Sequence, residues 1–375
     1  MQSLLRRGTS FLTPSPTPSS QADERDGGNT SSFDGFKSVS SHDDLFTKVD
    51  PAVDGEECLH DCASCTVRYP ARFEVDQEDK MYGNVNGWAT HLLVATGKTD
   101  WVRDVADEEG SVMEAIGKGG VEPANGELKL SASNMPLPDE YYDHEPGKQP
   151  TNVLLLPSFT IVEQVTPALV PDLIKRFVNP AMTTTTPLGS DPNPPTATVP
   201  EQQQQDDQQD QPTDITAPLP LRARSCNHAA VVLLCSQRTR DARCGQSAPL
   251  LRREFERHLR PLGLYRDLED ERPGGVGIYF ISHVGGHKYA ANVIVYRRRE
   301  LDSFGSTAAA AACGNGKEEE KEEESEGAAQ GIWLARVRPE DCENIIRYTV
   351  LQGKVVKPER QLRGGFDRQR GMISW

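Results

Sequence analysis

Two cysteines and two histidines at the predicted ends of buried strands constrain the fold of this chain more than any other feature. Cys235 ends an apolar run, residues 229–235, and Cys244 follows nine positions later, before a predicted helix. His283 ends the predicted strand 277–282, and His287 follows after a Val-Gly-Gly spacer. The pattern is C-x8-C followed by H-V-G-G-H, which brings four metal-binding side chains to strand and helix termini.

These four side chains predict a metal centre. Thiolates and imidazoles are ligands of both zinc and iron–sulfur clusters. Gly285 and Gly286 lack a Cβ, so the backbone can turn sharply beside a bulky group. Zinc usually takes ligand pairs separated by about two to five residues, so the eight intervening residues favour a loop around something larger. A mononuclear zinc site and purely structural histidines remain the alternatives.

The 375 residues predict two globular regions diluted by polar segments. Apolar residues make up 36% of the chain, below the usual globular share. A Pro- and Gln-rich stretch at 183–220 cannot bury a core and marks a linker. The predicted organisation is a disordered segment at 1–50, a first region at 51–182, the linker, a second region at 221–356 with a surface insert at 303–330, and a tail at 357–375.

Short apolar runs predict the buried strands, and capping residues predict the helices. A helix is expected from Thr166, a second from Ser247 as N-cap with Pro249 just inside, and a third from Pro339 to Gly353. The order of elements predicts small mixed α/β sheets with helices packed on them. The predicted strands are 91–95, 152–156, 229–235, 277–282, 292–296 and 332–337.

The metal-binding pattern also carries a family resemblance. Read with HVGGHKYAANVIVY at 283–296, GWATHLLVATGKTDW at 87–101 and the cysteine group at 58–65, the chain resembles the sucrase/ferredoxin-like proteins of fungi and plants. The resemblance implies a thioredoxin-like fold in each half, the second half being a thioredoxin-like ferredoxin. It further implies a 2Fe–2S cluster whose ligands are Cys235, Cys244, His283 and His287.

An iron–sulfur protein for one-electron transfer is the function that this resemblance implies. Imidazole ligands remove negative charge from a cluster and raise its reduction potential, as in Rieske centres. They can also gain or lose a proton, so the electron transfer is expected to be coupled to protons. No nucleophile–base pair is visible in the sequence, so an electron carrier is favoured over an enzyme, and the question of an enzyme stays open.

Charge and hydropathy bear on the partners. The net charge is −15, yet residues 221–299 hold 15 Lys and Arg against 7 Asp and Glu, which would attract an acidic redox protein. No nucleic-acid-binding module is recognised, and no apolar run approaches the roughly 20 residues of a membrane span. A protein redox partner is therefore expected, with no nucleic acid and no membrane span.

A second cysteine group offers an alternative function. Cys58, Cys62 and Cys65 lie in CLHDCASC, a spacing that could bind a metal or hold a redox pair. They would then serve thiol redox quality control or assembly, whereas a zinc-stabilised interaction module is the third hypothesis.

The two chain ends give conflicting indications of location. The first 22 residues lack Asp and Glu and contain Arg6 and Arg7, as in mitochondrial presequences. The last residues, Ile373, Ser374 and Trp375, resemble a carboxy-terminal tripeptide recognised by the cytosolic iron–sulfur assembly machinery. A mitochondrial location is favoured, and a cytosolic one is the alternative.

Overall fold

Most of the chain outside its polar segments is ordered into strands and helices. The computed structural model describes residues 35–142, 144–145, 147–189, 221–301 and 326–375. In chain order the strands are β1 (Lys37–Ser38), β2 (Thr90–Ala95), β3 (Leu128–Ser133), β4 (Thr151–Leu156), β5 (Thr160–Val165), β6 (Arg222–Ser225), β7 (Ala230–Cys235), β8 (Tyr265–Arg266), β9 (Val276–Ile281), β10 (Val293–Arg297), β11 (Gln330–Leu334), β12 (Leu362–Asp367) and β13 (Met372–Ser374).

Among the described residues the helices are short, except for one that borders the candidate metal centre. The α-helices are α1 (His42–Leu45), α2 (Pro51–Asp54), α3 (Val112–Lys118), α4 (Val170–Leu173), α5 (Ala242–Leu259), α6 (Cys342–Asn344) and α7 (Pro358–Gln361). Helix α4 continues as a π-helical turn, Ile174–Val178, and α6 as another, Ile345–Val350. Single 3₁₀ turns are Glu56–Leu59, Val105–Asp107, Asp139–Tyr141, Pro167–Leu169, His287–Tyr289, Arg299–Leu301 and Pro339–Asp341.

All of these strands join one mixed sheet. Its order is β1-β13-β12-β11-β10-β7-β9-β3-β2-β4-β5-β6, and β8 pairs with β9. In each half, two parallel neighbours are connected through a helix, β2–α3–β3 and β7–α5–β9. Two further strands then extend the sheet on the other side of the first parallel strand. In the first half β4 pairs antiparallel with β2, and β5 with β4; in the second half β10 pairs antiparallel with β7, and β11 with β10. The two halves therefore follow the same path.

The halves meet edge to edge through β3 and β9, which pair antiparallel at Ser133 and Ile281. Side chains reinforce this short junction. Asn134 Oδ1 accepts a hydrogen bond from Phe280 N at 2.7 Å, and the Ser282 hydroxyl accepts one from Ala132 N at 3.1 Å. The mixed α/β class is thus confirmed, whereas two separate thioredoxin-like domains are not confirmed, because one continuous sheet runs through both halves.

The sheet curves so that strands of the two halves face each other across an inner core. Trp88 Nε1 donates a hydrogen bond to Tyr296 Oη at 3.0 Å, and His91 Nδ1 lies 3.0 Å from the same hydroxyl. Strands β2 and β10, which carry His91 and Tyr296, are separated by three others in the sheet order. Burial lowers the pKa of His91 well below its ordinary value, so this imidazole stays neutral.

The predicted helix at Ser247 begins earlier than expected, which is a correction. Asp241 caps α5, because its Oδ1 accepts a hydrogen bond from Arg243 N at 3.0 Å. Ser247 is therefore buried within the helix, and Pro249 lies in its interior. Leu251, Phe255 and Leu259 form the apolar stripe of this helix and are buried. Cys244 consequently lies in the first turn of α5 and not before the helix.

Several segments that were expected to be polar extensions belong to the fold. Residues 357–375, predicted as a tail, form α7, β12 and β13 and bury Phe366 and Ile373. Residues 35–50, predicted as disordered, include β1 and α1, and Leu45 has no exposed surface. Their apolar side chains fill the same core as the main strands. Residues 1–34, 190–220 and 302–325 lie outside the described part, so the presequence, most of the linker and most of the insert stay predictions.

Candidate metal centre

Parallel pairing of β7 and β9 brings the predicted ligands to one edge of the sheet. Cys235 is the last residue of β7 and pairs in register with Ile281, the last residue of β9. His283 follows two positions later, and Cys244 lies in the first turn of α5, which connects the two strands. Since parallel strands end at the same edge, two residues far apart in sequence become neighbours.

Three of the four predicted ligands converge. The Sγ atoms of Cys235 and Cys244 are 3.3 Å apart. His283 Nδ1 lies 3.6 Å from Cys235 Sγ and 3.9 Å from Cys244 Sγ. Both cysteines are buried. His287 begins a 3₁₀ turn beyond the glycines, and its side chain lies outside the described part of the structure.

The electrostatics of the pair favour one thiolate. Contact with the Cys244 thiol lowers the pKa of Cys235 to about 5, and contact with His283 acts in the same direction. The same sulfur–sulfur contact, together with burial, raises the pKa of Cys244. The first turn of α5 also presents the positive end of a helix dipole to this site, which stabilises anionic sulfur.

Gln237 holds the histidine in place, although the sequence pattern does not mark it. Its side chain is 1% exposed, and its Oε1 accepts a hydrogen bond from His283 N at 2.8 Å. Its Nε2 donates to the carbonyls of Trp101, at 3.4 Å, and Val102. The loop between the cysteines is therefore attached both to His283 and to the first half of the chain.

The turn after β2 is the support for that loop. Asp100 accepts two hydrogen bonds from Thr239, from N at 3.0 Å and from Oγ1 at 2.8 Å. The Ser236 hydroxyl donates to Thr99 O at 2.9 Å. Residues 98–101 (KTDW), which follow β2, thus position the loop between the two cysteines.

The glycine spacer turns as predicted. Gly285 and Gly286 have φ angles of +92° and +74°, a region that only glycine adopts freely. A Cβ on Gly286 would lie 2.7 Å from Nη2 of Arg363, whereas one on Gly285 would meet nothing within 4 Å. Arg363 comes from β12, which was predicted as tail, so its place beside the site could not be foreseen.

The donor set fits a metal group. Two soft sulfurs and an imidazole nitrogen converge on one point, and all three are accepted by zinc and by iron–sulfur clusters. The contact between the two sulfurs lowers the pKa of Cys235, which favours the thiolate form that a metal binds. The geometry of three donors is compatible with either group, so the identity of the metal and the fourth ligand stay predictions.

Of the three cysteines at 58–65, Cys58 lies apart from Cys62 and Cys65. Cys58 is buried in a small apolar cluster with Val49, Tyr348 and Val356. Cys62 lies by the end of α5, with its Sγ 3.4 Å from Arg257 Nη2 and 3.8 Å from His258 Nε2. The possible ligand atoms of Cys62, His258 and Glu343 all lie within 4.8 Å of one another.

Cys65 closes a turn with Cys62, because its N–H donates to the Cys62 carbonyl at 3.3 Å. Cys62 and Cys65 are therefore neighbours, whereas Cys58 has an apolar environment. Cys226 and Cys342 are buried free thiols, and Cys313 lies outside the described residues.

The carboxy-terminal residues are part of the folded core. Ile373 and Ser374 belong to β13 and are buried. The Trp375 ring stacks on Trp88 with 4.6 Å between ring centroids. A binding protein would reach Ile373 and Ser374 only after β13 had separated from the sheet, whereas Trp375 is partly exposed.

The sucrase/ferredoxin-like family profile matches residues 81–364. Actin patches distal protein 1 of Saccharomyces cerevisiae is 28% identical over 277 residues, which cover 67% of this chain and 75% of that protein. Altered inheritance of mitochondria protein 32 of Clavispora lusitaniae is 31% identical over 130 residues, 35% of this chain and 33% of that protein.

The same-named protein of Debaryomyces hansenii is 31% identical over 127 residues, 34% of this chain and 33% of that protein. The chain thus matches about a third of the length of these two relatives. No solved structure matches the chain at a significant level. Among the helices that the structure describes, none has both the length and the apolar composition needed to cross a bilayer.

Proposed function

Because the chain belongs to the sucrase/ferredoxin-like family, we propose that it is an iron–sulfur electron-transfer protein. A 2Fe–2S cluster would be held by Cys235, Cys244, His283 and His287. The observation that carries the proposal is the convergence of three of these residues, with 3.3–3.9 Å between their donor atoms. When bound, such a cluster supplies reversible one-electron chemistry.

The protein's own residues supply the environment. Burial of both cysteines keeps water from the sulfurs, and the amino terminus of α5 favours their anionic form. Gln237 fixes the backbone of His283. Neutral imidazole ligands would raise the reduction potential above that of an all-cysteine site, and their protons would couple to the electron.

We also propose that each half is thioredoxin-like and that the second half is a thioredoxin-like ferredoxin. The support is the shared path of the two halves: parallel strands connected through a helix, followed by two antiparallel strands and a helical segment. Because both halves share a single sheet, the first half supports the second. The hydrogen bond from Thr239 N to Asp100 Oδ1 is one such contact.

An acidic protein is the proposed redox partner. A mitochondrial location is the proposed site of action, and a cytosolic location is the alternative. The support for the partner is the basic composition of residues 221–299. The location rests on the presequence-like start and on relatives named for the inheritance of mitochondria, against another named for actin patches. Cluster delivery through Ile373, Ser374 and Trp375 would have to precede the docking of β13.

The test is the visible and electron paramagnetic resonance spectrum of the full chain purified without oxygen. A red-brown protein with a reduced-state signal is expected, and this signal should shift in a variant that carries both His283→Cys and His287→Cys. His144→Cys, at an exposed position, is the matched control and should leave the spectrum unchanged. A colourless protein with one equivalent of zinc would overturn the proposal and favour a structural zinc module.

A thiol function is the second candidate, and the surroundings of Cys62 favour it. Arg257, His258 and Ser64 all approach its sulfur, at 3.4, 3.8 and 3.4 Å. Among the residues that the structure describes, no comparable polar side chain approaches the sulfur of Cys58, which lies in an apolar cluster. Limited alkylation followed by mass spectrometry should therefore modify Cys62 well before Cys58. Equal modification of the two would remove the reason for assigning Cys62 a chemical role.

A further inference from the structure

A cavity of about 470 Å³ opens beside the His283 loop. Its volume is in the range of small-molecule sites, roughly 300–1,000 Å³. Four cationic side chains line it, against one carboxylate among the described residues, that of Asp104. The cations are Arg103, Lys129, Arg240 and Arg363. His283 and Gln237 line the cavity, whereas Cys235 and Cys244 do not, so the cavity is adjacent to the candidate metal centre and shares one predicted ligand with it.

Arg363 is the most deeply buried of these cations, with 2% of its surface exposed. Its guanidinium lies 4.2 Å from the ring centre of Trp333 and 5.0 Å from that of Tyr289. Nη1 donates to Gly285 O at 3.1 Å and to Asn292 Oδ1 at 2.9 Å. Its Nε has no hydrogen-bond partner in the described part of the chain. The group is thus rigidly oriented, and one donor remains unused.

The other cations are also incompletely paired. Lys129 Nζ donates to Val284 O at 3.4 Å and has no carboxylate partner among the described residues. Arg240 Nη1 donates to Arg103 O at 3.2 Å, and its buried Nε has no partner within the same residues. The one lining carboxylate, Asp104, already accepts a hydrogen bond from Ala106 N at 3.1 Å.

Burying a cation is costly unless an anion compensates its charge. Arg363 is buried and Lys129 is partly buried, and neither pairs with a carboxylate among the described residues, although the sulfur of Cys235 acts on both electrostatically. An anion in the cavity would therefore stabilise them further. Guanidinium edges match the planar oxygens of carboxylates and phosphates, and they form the stronger, charge-assisted hydrogen bonds.

We propose that this cavity binds a small molecule bearing carboxylate or phosphate groups, with Arg363 and Arg240 as its principal contacts. The ligand would lie against the His283 loop, close enough to sense the state of the metal centre. The inference goes beyond the proposed function and does not depend on it, because it uses only the cavity and its cations.

Isothermal titration of the full chain with inorganic phosphate and with malonate tests the proposal, with sodium chloride at equal ionic strength as the reference. Saturable binding of at least one of these anions is expected. Arg240→Met and Arg363→Met should each weaken it by about tenfold. Arg253→Met, at an exposed position of α5, is the matched control and should leave the affinity unchanged.

The titration is done on metal-free and on metal-loaded protein, so that the two proposals fail separately. Anion binding by a protein that takes up no iron would retain the cavity and remove the electron-transfer function. No saturable binding in either form would overturn the cavity proposal and mean that the cations serve only the charge of the cysteine sulfurs. An equal loss of affinity in Arg253→Met and Arg240→Met would also overturn the proposal, because binding would then follow the surface charge and not the cavity. Arg240 is the better variant for this comparison, because it is less buried than Arg363 and its replacement is less prone to cause misfolding.

Discussion

Replacement of Gln237 by methionine tests how the cysteine loop is fixed. The side chain is buried, with its Oε1 2.8 Å from His283 N and its Nε2 directed at the carbonyls of Trp101 and Val102. Methionine has a similar volume, so little cavity is created. The change leaves a buried N–H and at least one carbonyl without a partner, at about 1–3 kcal/mol each. The free energy of unfolding should fall by ~2–5 kcal/mol.

Equilibrium urea unfolding of metal-free protein measures this loss. The midpoint should decrease while the slope stays the same, since the surface exposed on unfolding is unchanged. Gln77→Met, at an exposed glutamine with a local hydrogen bond of 3.3 Å, is the control and should change the free energy of unfolding by no more than about 0.5 kcal/mol. Metal uptake by the Gln237 variant should also weaken, because His283 loses its anchor. A midpoint equal to that of the wild type would refute this account of the loop.

Three further variants probe the fold around the site. Gly286→Ala should destabilise the protein by about 1 kcal/mol or more beyond Gly285→Ala, because both positions have positive φ but only the former meets the buried arginine of β12; equal urea midpoints would contradict this. His91 resists protonation in the fold, so the unfolded chain binds the extra proton and wild-type stability should fall as the pH drops below about 6.5. The free energy of unfolding, obtained from urea titrations across this pH range, should depend less steeply on pH in His91→Asn, by up to ~1.4 kcal/mol per pH unit. An unchanged dependence on pH would exclude His91 as the source. Trp375→Ala removes the ring stacked on Trp88 and should cost ~2 kcal/mol in urea unfolding, whereas no change would mean that the terminus packs without consequence.

Local sequence patterns determined much of the architecture. The apolar runs at 91–95, 152–156, 229–235 and 277–282 are strands in the structure, because residues buried on both faces leave a continuous hydrophobic signal. The positions of Cys235 and His283 at the ends of such runs predicted that they would meet. That expectation holds because the two strands are parallel neighbours, whose ends share an edge of the sheet.

Helix boundaries were less determined by local signals. Ser247 and Pro249 look like a helix start, yet Asp241 provides the cap six residues earlier. A proline in the interior loses one hydrogen bond, and the packing of Leu251 and Phe255 against the sheet stabilises the longer helix. Tertiary burial outweighs the local preference, and it moves Cys244 into the first turn beside Cys235.

Only the tertiary structure decided how the two halves are joined. The antiparallel contact of Ser133 with Ile281 depends on two sheet edges meeting, which no local propensity encodes. The same holds for Gln237 and Arg363. Each has a hydrogen-bond partner in the first half of the chain, more than a hundred residues away in sequence. Sequence alone therefore identified the side chains with metal chemistry, because that chemistry belongs to residue type and spacing. The shell that orients them, and the cationic cavity beside them, arise from contacts between distant segments that form only when the whole sheet has folded.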